Sequence, residues 1–189
     1  IITDSLNHCH VHKHLRINAF VIMPTHLHLM LFDAEFDNQR LQRTMHDMRK
    51  FSGQQLLKYC DAKAPKVFGQ LFSGTQRQDR SRQFWQASRH PVGIWSEVVW
   101  RKKINYIHDN PCRKGLVRQA HEWRFSSAGN WLGGGDGCDV LLSEVDFKGS
   151  GTVRDLPQQA SIRYRQRLQH LVDDYALGRI SFEQLTASV

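Results

Sequence analysis

Arg16-Ile17-Asn18-Ala19-Phe20-Val21-Ile22-Met23-Pro24-Thr25-His26-Leu27-His28-Leu29-Met30-Leu31-Phe32 is the stretch that decides the fold of this chain. Residues 16–23 alternate and are rich in β-formers (Ile17, Phe20, Val21, Ile22), which predicts a strand. Pro24-Thr25 makes a tight connection to a second strand over 26–32, so the pair reads as an antiparallel hairpin. Successive strand side chains point to opposite faces, which puts His26 and His28 on one face, roughly 6–7 Å apart along the strand. Leu27, Leu29 and Leu31 fill the other face. A buried strand gains nothing from two polar rings unless something satisfies them, since each unpaired group costs on the order of 1–3 kcal/mol. A shared divalent metal does so economically, because neutral imidazole is the commonest metal ligand. The competing reading is two histidines bonded to backbone or solvent on an exposed sheet face, so a second signal is required.

Around the hairpin the chain divides readily. Residues 1–14 read as a short polar helix. Residues 38–59 carry Leu41, Met45, Met48, Phe51 and Leu56 near helical spacing and predict a long amphipathic helix. A polar, glycine-bearing loop over 61–81 holds one short apolar element at 67–72, and 82–88 (with Phe84 and Trp85) suggests a third strand. Residues 94–109 predict a second helix, stopped by Asn110-Pro111. Gly133-Gly134-Gly135 marks a boundary between a domain over 1–132 and a glycine-rich linker with a helical tail over 133–189. That tail holds an amphipathic helix at 159–177 and a capping-box spacing from Ser181 to Gln184.

Composition narrows the function classes. At 189 residues and 22.0 kDa, with 40% hydrophobic residues and five Trp, the chain suits one domain with a small appendage. No apolar run approaches the ~20 residues that cross a bilayer, and no signal peptide is visible. Cys9, Cys60, Cys112 and Cys138 are scattered without a Cys-x-x-Cys pair. This speaks against a disulfide framework or a Cys-rich zinc site and suits a reducing cytosol. Lys and Arg exceed Asp and Glu by 26 to 18, for a formal charge of +8 and a pI near 9.6. Such a surplus favours polyanions, nucleic acid first and anionic membrane second. The chain begins with Ile1 rather than Met, which reads as a fragment or processed product with an element missing before it.

The second signal is Trp100-Arg101-Lys102-Lys103-Ile104-Asn105-Tyr106-Ile107-His108-Asp109-Asn110-Pro111. On a helix Trp100, Ile104 and Ile107 share a face that can pack onto a sheet. Tyr106 shares another with Lys102, Lys103 and Asn110, at offsets of three or four. Nearby cations favour phenolate over phenol and attract phosphate. From Glu97 to Arg118 six basic side chains (Arg101, Lys102, Lys103, Arg113, Lys114, Arg118) face two acidic ones (Glu97, Asp109), which makes a local anion site. A solvated basic helix is the competing reading. His8, Cys9, His10, His12 and His14 form a tempting metal cluster, but on a helix only His10 and His14 share a face cleanly, so a solvated helix is expected there.

Together the two signals resemble a family. His26-Leu27-His28 after Met23-Pro24, followed by Tyr106-Ile107-His108-Asp109-Asn110-Pro111-Cys112-Arg113-Lys114-Gly115-Leu116-Val117, resembles the IS200-like single-tyrosine (Y1, HUH) transposases. It looks most like their REP-associated branch, which carries Tyr-Ile-His-x-Asn-Pro-x-Arg-x-Gly-Leu-Val. Met48-Arg49-Lys50-Phe51, Phe84-Trp85-Gln86 and Trp123-Arg124-Phe125-Ser126-Ser127-Ala128 stand in the expected order, so the resemblance covers about residues 15–132. Thr25 stands where the family commonly has Asn, a departure that removes no ligand.

The resemblance implies an α+β, ferredoxin-like HUH fold with a central antiparallel sheet and packed helices, whose first strand is missing before Ile1, and a helical C-terminal tail. It implies a DNA endonuclease and strand transferase acting on hairpin single strands of repeated palindromic elements through a 5′-phosphotyrosine. Tyr106 would be the nucleophile, and His26, His28 and Asn110 would hold a divalent metal, Mg²⁺ or Mn²⁺. Lys102 and Lys103 are expected to assist the tyrosine. With Arg101, Arg113, Lys114, Arg118, Arg49 and Lys50 they would contact DNA, the basic residues tracking its backbone. Trp85, Trp123 and Trp131 are expected in the core rather than stacked on bases. A cytoplasmic protein is expected, nucleoid-associated when bound to DNA, with no membrane partner, working as a monomer or homodimer. Two rival functions are a rolling-circle replication initiator or relaxase of the same motif class, and a non-catalytic hairpin-binding protein derived from a transposase.

Overall fold

A computed structural model describes residues 1–63, 83–86, 91–133, 137–145 and 153–155. It is mixed α and β, with several helices, a two-stranded antiparallel hairpin and a second, shorter strand pair. The elements run α1 (Ile2–His12), β1 (Leu15–Ile22), β2 (Leu27–Asp33), α2 (Asn38–Lys63), α3 (Glu97–Arg113), a 3-10 turn (Ala120–Glu122), α4 (Ala128–Leu132), β3 (Ser143–Val145) and β4 (Val153–Asp155). Among the described residues no helix is long and apolar enough to cross a membrane. The chain forms two compact units, one of Ile1–Arg16 with Leu31–Trp100 and one of Ile17–Met30 with Arg101–Val189.

In the first unit α1 packs against α2. Asp37 starts α2, its Oδ1 accepting the N–H groups of Gln39 at 2.8 Å and Arg40 at 3.0 Å, which satisfies donors that the first turn leaves open. The backbone N–H of Arg40, more than that of Gln39, holds the Asp37 carboxyl below the usual carboxylate range. The buried side of α2 is not the apolar stripe that the spacing predicts. Thr44, Met48, Ser52, Gly53 and Cys60 lie inward, while Phe51 is 56% exposed. The cause is the aromatic pair beyond the helix. Trp85 donates its indole N–H to Ser52 Oγ at 3.0 Å, and a Cβ on Gly53 would meet Trp85 Cδ1 at 3.0 Å. Small residues admit the indole, so size rather than hydrophobicity selects the inward face. Residues 83–86 form a bend rather than the expected third strand, held to α2 by Arg49, whose guanidinium donates to the Gln86 carbonyl.

α1 ends at His12, and His14 adopts φ 55° beyond it. His10 and His14 therefore do not share a helical face as expected. The exposed pair is His8 and His12, with ring centroids 4.7 Å apart.

In the second unit β1 is buried on both faces from Ile17 through Val21. One neighbour is β2. Met23 N–H donates to His26 C=O at 2.8 Å and closes the Pro24-Thr25 connection. On the other side residues 123–127 run antiparallel to it, with Ile22 N–H donating to Phe125 C=O at 2.8 Å and Ser127 N–H to Phe20 C=O at 3.0 Å, around a Val21–Ser126 bridge. Trp123 and Trp131 turn their indole N–H groups to the carbonyls of Ile22 and Asn18, at 3.0 and 2.9 Å. With Trp85 bonded to Ser52, all three tryptophans are half-buried and bonded into the fold. Asn18 Nδ2 donates to Ser143 C=O at 2.9 Å, tying β3 to β1. β3 pairs with β4 in antiparallel register, Glu144 opposite Arg154. The expected elements at 67–72, 159–177 and 181–184 lie outside the described residues.

α3 starts at Ser96, whose carbonyl accepts Trp100 N–H at 2.9 Å. Pro111 does not stop it, because Asn110-Pro111-Cys112-Arg113 continue the helix. The proline removes the N–H that would bond the Ile107 carbonyl and its ring crowds that carbonyl, yet the helix continues through it for its last residues. The stop comes at Gly115, with φ +68°. Gly115 N–H bonds Cys112 C=O and Leu116 N–H bonds Pro111 C=O, both at 2.9 Å. This crossed pair satisfies the last carbonyls and needs a left-handed residue, which glycine supplies without steric cost.

Candidate functional site

The hairpin and α3 carry the residues singled out from the sequence, and the second unit holds those proposed for chemistry. His28 stands on β2 and His26 one residue before its start, not within the strand as expected, and their ring centroids are 4.8 Å apart at an interplanar angle of 76°. Both are half-buried. His26 Nδ1 lies 3.0 Å from Thr25 Oγ1, so Thr25 gives the ring a hydrogen-bond partner. Burial pushes the His28 imidazole below its ordinary range, and neighbouring His26 adds to it, both disfavouring the charged ring.

Tyr106 lies against the second histidine. The Tyr106 and His28 ring centroids are 5.5 Å apart at 75°, an edge-to-face contact. The phenol ring remains 44% exposed, open to a ligand. One turn on, Asn110 is buried and donates from Nδ2 to the Tyr106 backbone carbonyl at 2.8 Å. This bond commits the amide nitrogen and leaves the amide oxygen as the donor atom for a cation. Among the described residues no three His, Cys, Asp or Glu side chains gather to hold a metal. Imidazole nitrogens and an amide oxygen are donor types that suit a divalent ion whose remaining positions are taken by oxygen, and the contacts of this structure join His26, His28 and Tyr106, with Asn110 bonded to the Tyr106 backbone.

The cation over the Tyr106 ring is Arg113, its Cζ 5.4 Å from the centroid. Arg101, Lys102 and Lys103 are exposed on the same helix, and Lys114 and Arg118 are exposed beyond its end. The backbone N–H of Arg118 is held by Glu122 Oε2 at 3.0 Å. Arg49 and Lys50 lie on α2 in the first unit. There Arg49 holds the Gln86 carbonyl and Lys50 is exposed.

The sequence reading missed how α3 is held. His108 is 2% exposed and its Nε2 lies 2.8 Å from Ser127 Oγ. That hydroxyl also accepts the N–H of Phe20 at 2.9 Å. Burial pushes the His108 imidazole down to about 4, so it is neutral at physiological pH. The chain Phe20–Ser127–His108 thus fastens α3, two residues from Tyr106, to the hairpin that carries the histidines. The signal was present in the spacing: His108 follows Ile104 by four residues and belongs to the same inward face.

Compared with known proteins, the chain matches no family model, no curated protein and no solved structure.

Proposed function

We propose that this chain is a metal-dependent, single-tyrosine DNA strand transferase of the IS200-like, REP-associated kind, with a ferredoxin-like HUH fold, acting on hairpin-forming single strands. The observation that carries the reading is the edge-to-face contact of His28 with Tyr106, centroids 5.5 Å apart. It joins, from two distant stretches of sequence, a hairpin bearing two neighbouring imidazoles and a helix bearing a phenol. A solvated basic helix has no reason to seat its tyrosine on that histidine.

In the proposed reaction the Tyr106 hydroxyl attacks the scissile phosphorus in line. An O–P ester forms, the P–O3′ bond breaks, the phenol proton goes to solvent, and the departing oxygen takes up a proton as a free 3′-OH. The 5′-phosphotyrosine conserves a phosphodiester, so a second 3′-OH can reseal the strand without a nucleotide cofactor. His26, His28 and Asn110 would hold the divalent ion, Mg²⁺ or Mn²⁺. When bound, that ion supplies Lewis-acid stabilisation of charge on a non-bridging phosphate oxygen. The chain's own part is positional. Asn110 ties its amide to the backbone beneath the nucleophile, and Ser127 with His108 fastens the helix.

The test is a denaturant-resistant covalent adduct between the chain and a labelled hairpin oligonucleotide in Mn²⁺. The wild-type chain is expected to form it and Tyr106→Phe to form none, while both bind the hairpin. A wild-type chain that binds the hairpin but yields no adduct overturns the reading and leaves the non-catalytic hairpin-binding protein.

A further inference from the structure

We infer that Arg113 is a positioning residue for Tyr106: its guanidinium, which lies over the phenol ring, fixes the ring's orientation beside His28 and offers N–H groups to the same phosphate. This rests on the strand-transfer reading above and adds to it the group that aims the nucleophile.

Tyr106 is 44% exposed, and an exposed tyrosine on a helix is ordinarily free to swing about its first two torsions. Here the ring has two described neighbours, the His28 imidazole at 5.5 Å and the Arg113 Cζ at 5.4 Å, both between centroids or to the centroid. Arg113 follows Tyr106 by seven residues, two helical turns, so both lie on one face. Helical side chains lean toward the N-terminus, and a side chain as long as arginine's crosses that distance. The backbone makes the reach possible. The turn at Gly115 ends the helix only after Arg113, and the helix runs through Pro111 to get there. A helix stopped at Pro111 would leave Arg113 on a loop with no defined direction.

The guanidinium is suited to both tasks at once. Arg113 is exposed, and no carboxylate pairs with it among the described residues. A planar guanidinium stacks by its face while its edge donates two parallel N–H bonds to a phosphate, whereas a lysine ammonium is a single point charge that does one or the other. Fixing the ring raises the fraction of encounters in which phenol oxygen and phosphorus are aligned, which is where oriented reactions gain most.

The test compares wild type, Arg113→Lys, Arg113→Gln and Tyr106→Phe in the full chain. It reads single-turnover adduct formation in Mn²⁺, hairpin affinity, and fluorine NMR of protein labelled with 3-fluorotyrosine. The chain has four tyrosines, and Tyr106→Phe identifies the resonance of interest. Arg113→Lys is expected to slow adduct formation about tenfold while weakening hairpin binding less than about threefold, and to shift and sharpen the Tyr106 resonance as the ring is released. Adduct formation at the wild-type rate with an unmoved resonance overturns the inference. So does a loss of affinity that accounts for the whole loss of rate, which would make Arg113 a phosphate contact alone. If the wild-type chain forms no adduct, the proposed function fails first. The resonance then decides by itself whether Arg113 orders the ring.

Discussion

Asp33 ends β2 with its carboxylate 2% exposed and fully engaged. It accepts the N–H groups of Glu35 at 2.9 Å and Asp37 at 3.2 Å, and the Nε–H of Arg40 at 2.7 Å, with the second guanidinium nitrogen on its other oxygen. The Arg40 hydrogen bonds, outweighing the cost of burial, hold its carboxyl down to about 2. One side chain thus joins the end of the hairpin to the turn that starts α2. Asp33→Asn removes the charge and at least one acceptor, which is expected to lower unfolding stability by about 2–3 kcal/mol at neutral pH. A carboxyl held below its unfolded range contributes stability that is fully present above about pH 4 and is lost as pH falls through about 2. Urea unfolding at pH 7 and at stepwise lower pH should therefore show the gap between wild type and Asp33→Asn closing as pH drops from about 4 toward 2. A gap of constant size across that range would mean that the carboxylate charge contributes nothing.

At the scale of elements, the hairpin was legible because period-2 alternation and Pro24-Thr25 are local signals, and its closing bond, Met23 to His26, lies where they put it. The nearness of His26 to His28 was legible for the same reason. Long-range packing was not. Phe51 reads as core on periodicity, yet α2 is met by an indole that needs Ser52 as acceptor and Gly53 as space. Nothing near position 51 announces a tryptophan more than thirty residues away. Pro111 was misread because a proline costs a helix one bond and some crowding without always ending it, and here the helix runs on to Arg113. Gly115 carries the actual stop, and it offers a clean test. A Cβ there meets nothing within 4 Å, so any cost of substitution is conformational. Gly115→Ala, forced to φ +68°, is expected to lose about 1–2 kcal/mol in thermal unfolding followed by circular dichroism. Gly115→Asn should lose less, since asparagine tolerates the left-handed region. An alanine variant as stable as wild type would show that the helix ends some other way.

Over the whole molecule, the surplus of 26 basic over 18 acidic residues becomes a specific claim only when each cation's local partner is known. Lys50, Lys114 and Arg118 are exposed side chains. Arg49 instead holds the Gln86 carbonyl within the first unit. On a single strand each phosphate neutralised releases condensed counterions, and the logarithm of affinity falls with that of salt by roughly 0.7 per contact. Lys114→Gln, Arg118→Gln and Lys50→Gln are each expected to flatten that slope by about 0.7. They should weaken binding to a matched hairpin and to an unrelated single strand alike, because a phosphate contact carries no sequence information. Arg49→Gln is expected to behave differently, lowering thermal stability through the loss of its bond to residue 86 while leaving the salt slope nearly unchanged. Titrations of a labelled hairpin at several salt concentrations, paired with melting curves of each variant, separate the two kinds of arginine and lysine. If Arg49→Gln flattens the slope as much as Lys50→Gln does and melts like wild type, the Arg49 guanidinium leaves Gln86 for the phosphate backbone, and the bend at 83–86 keeps the bond of Trp85 to Ser52.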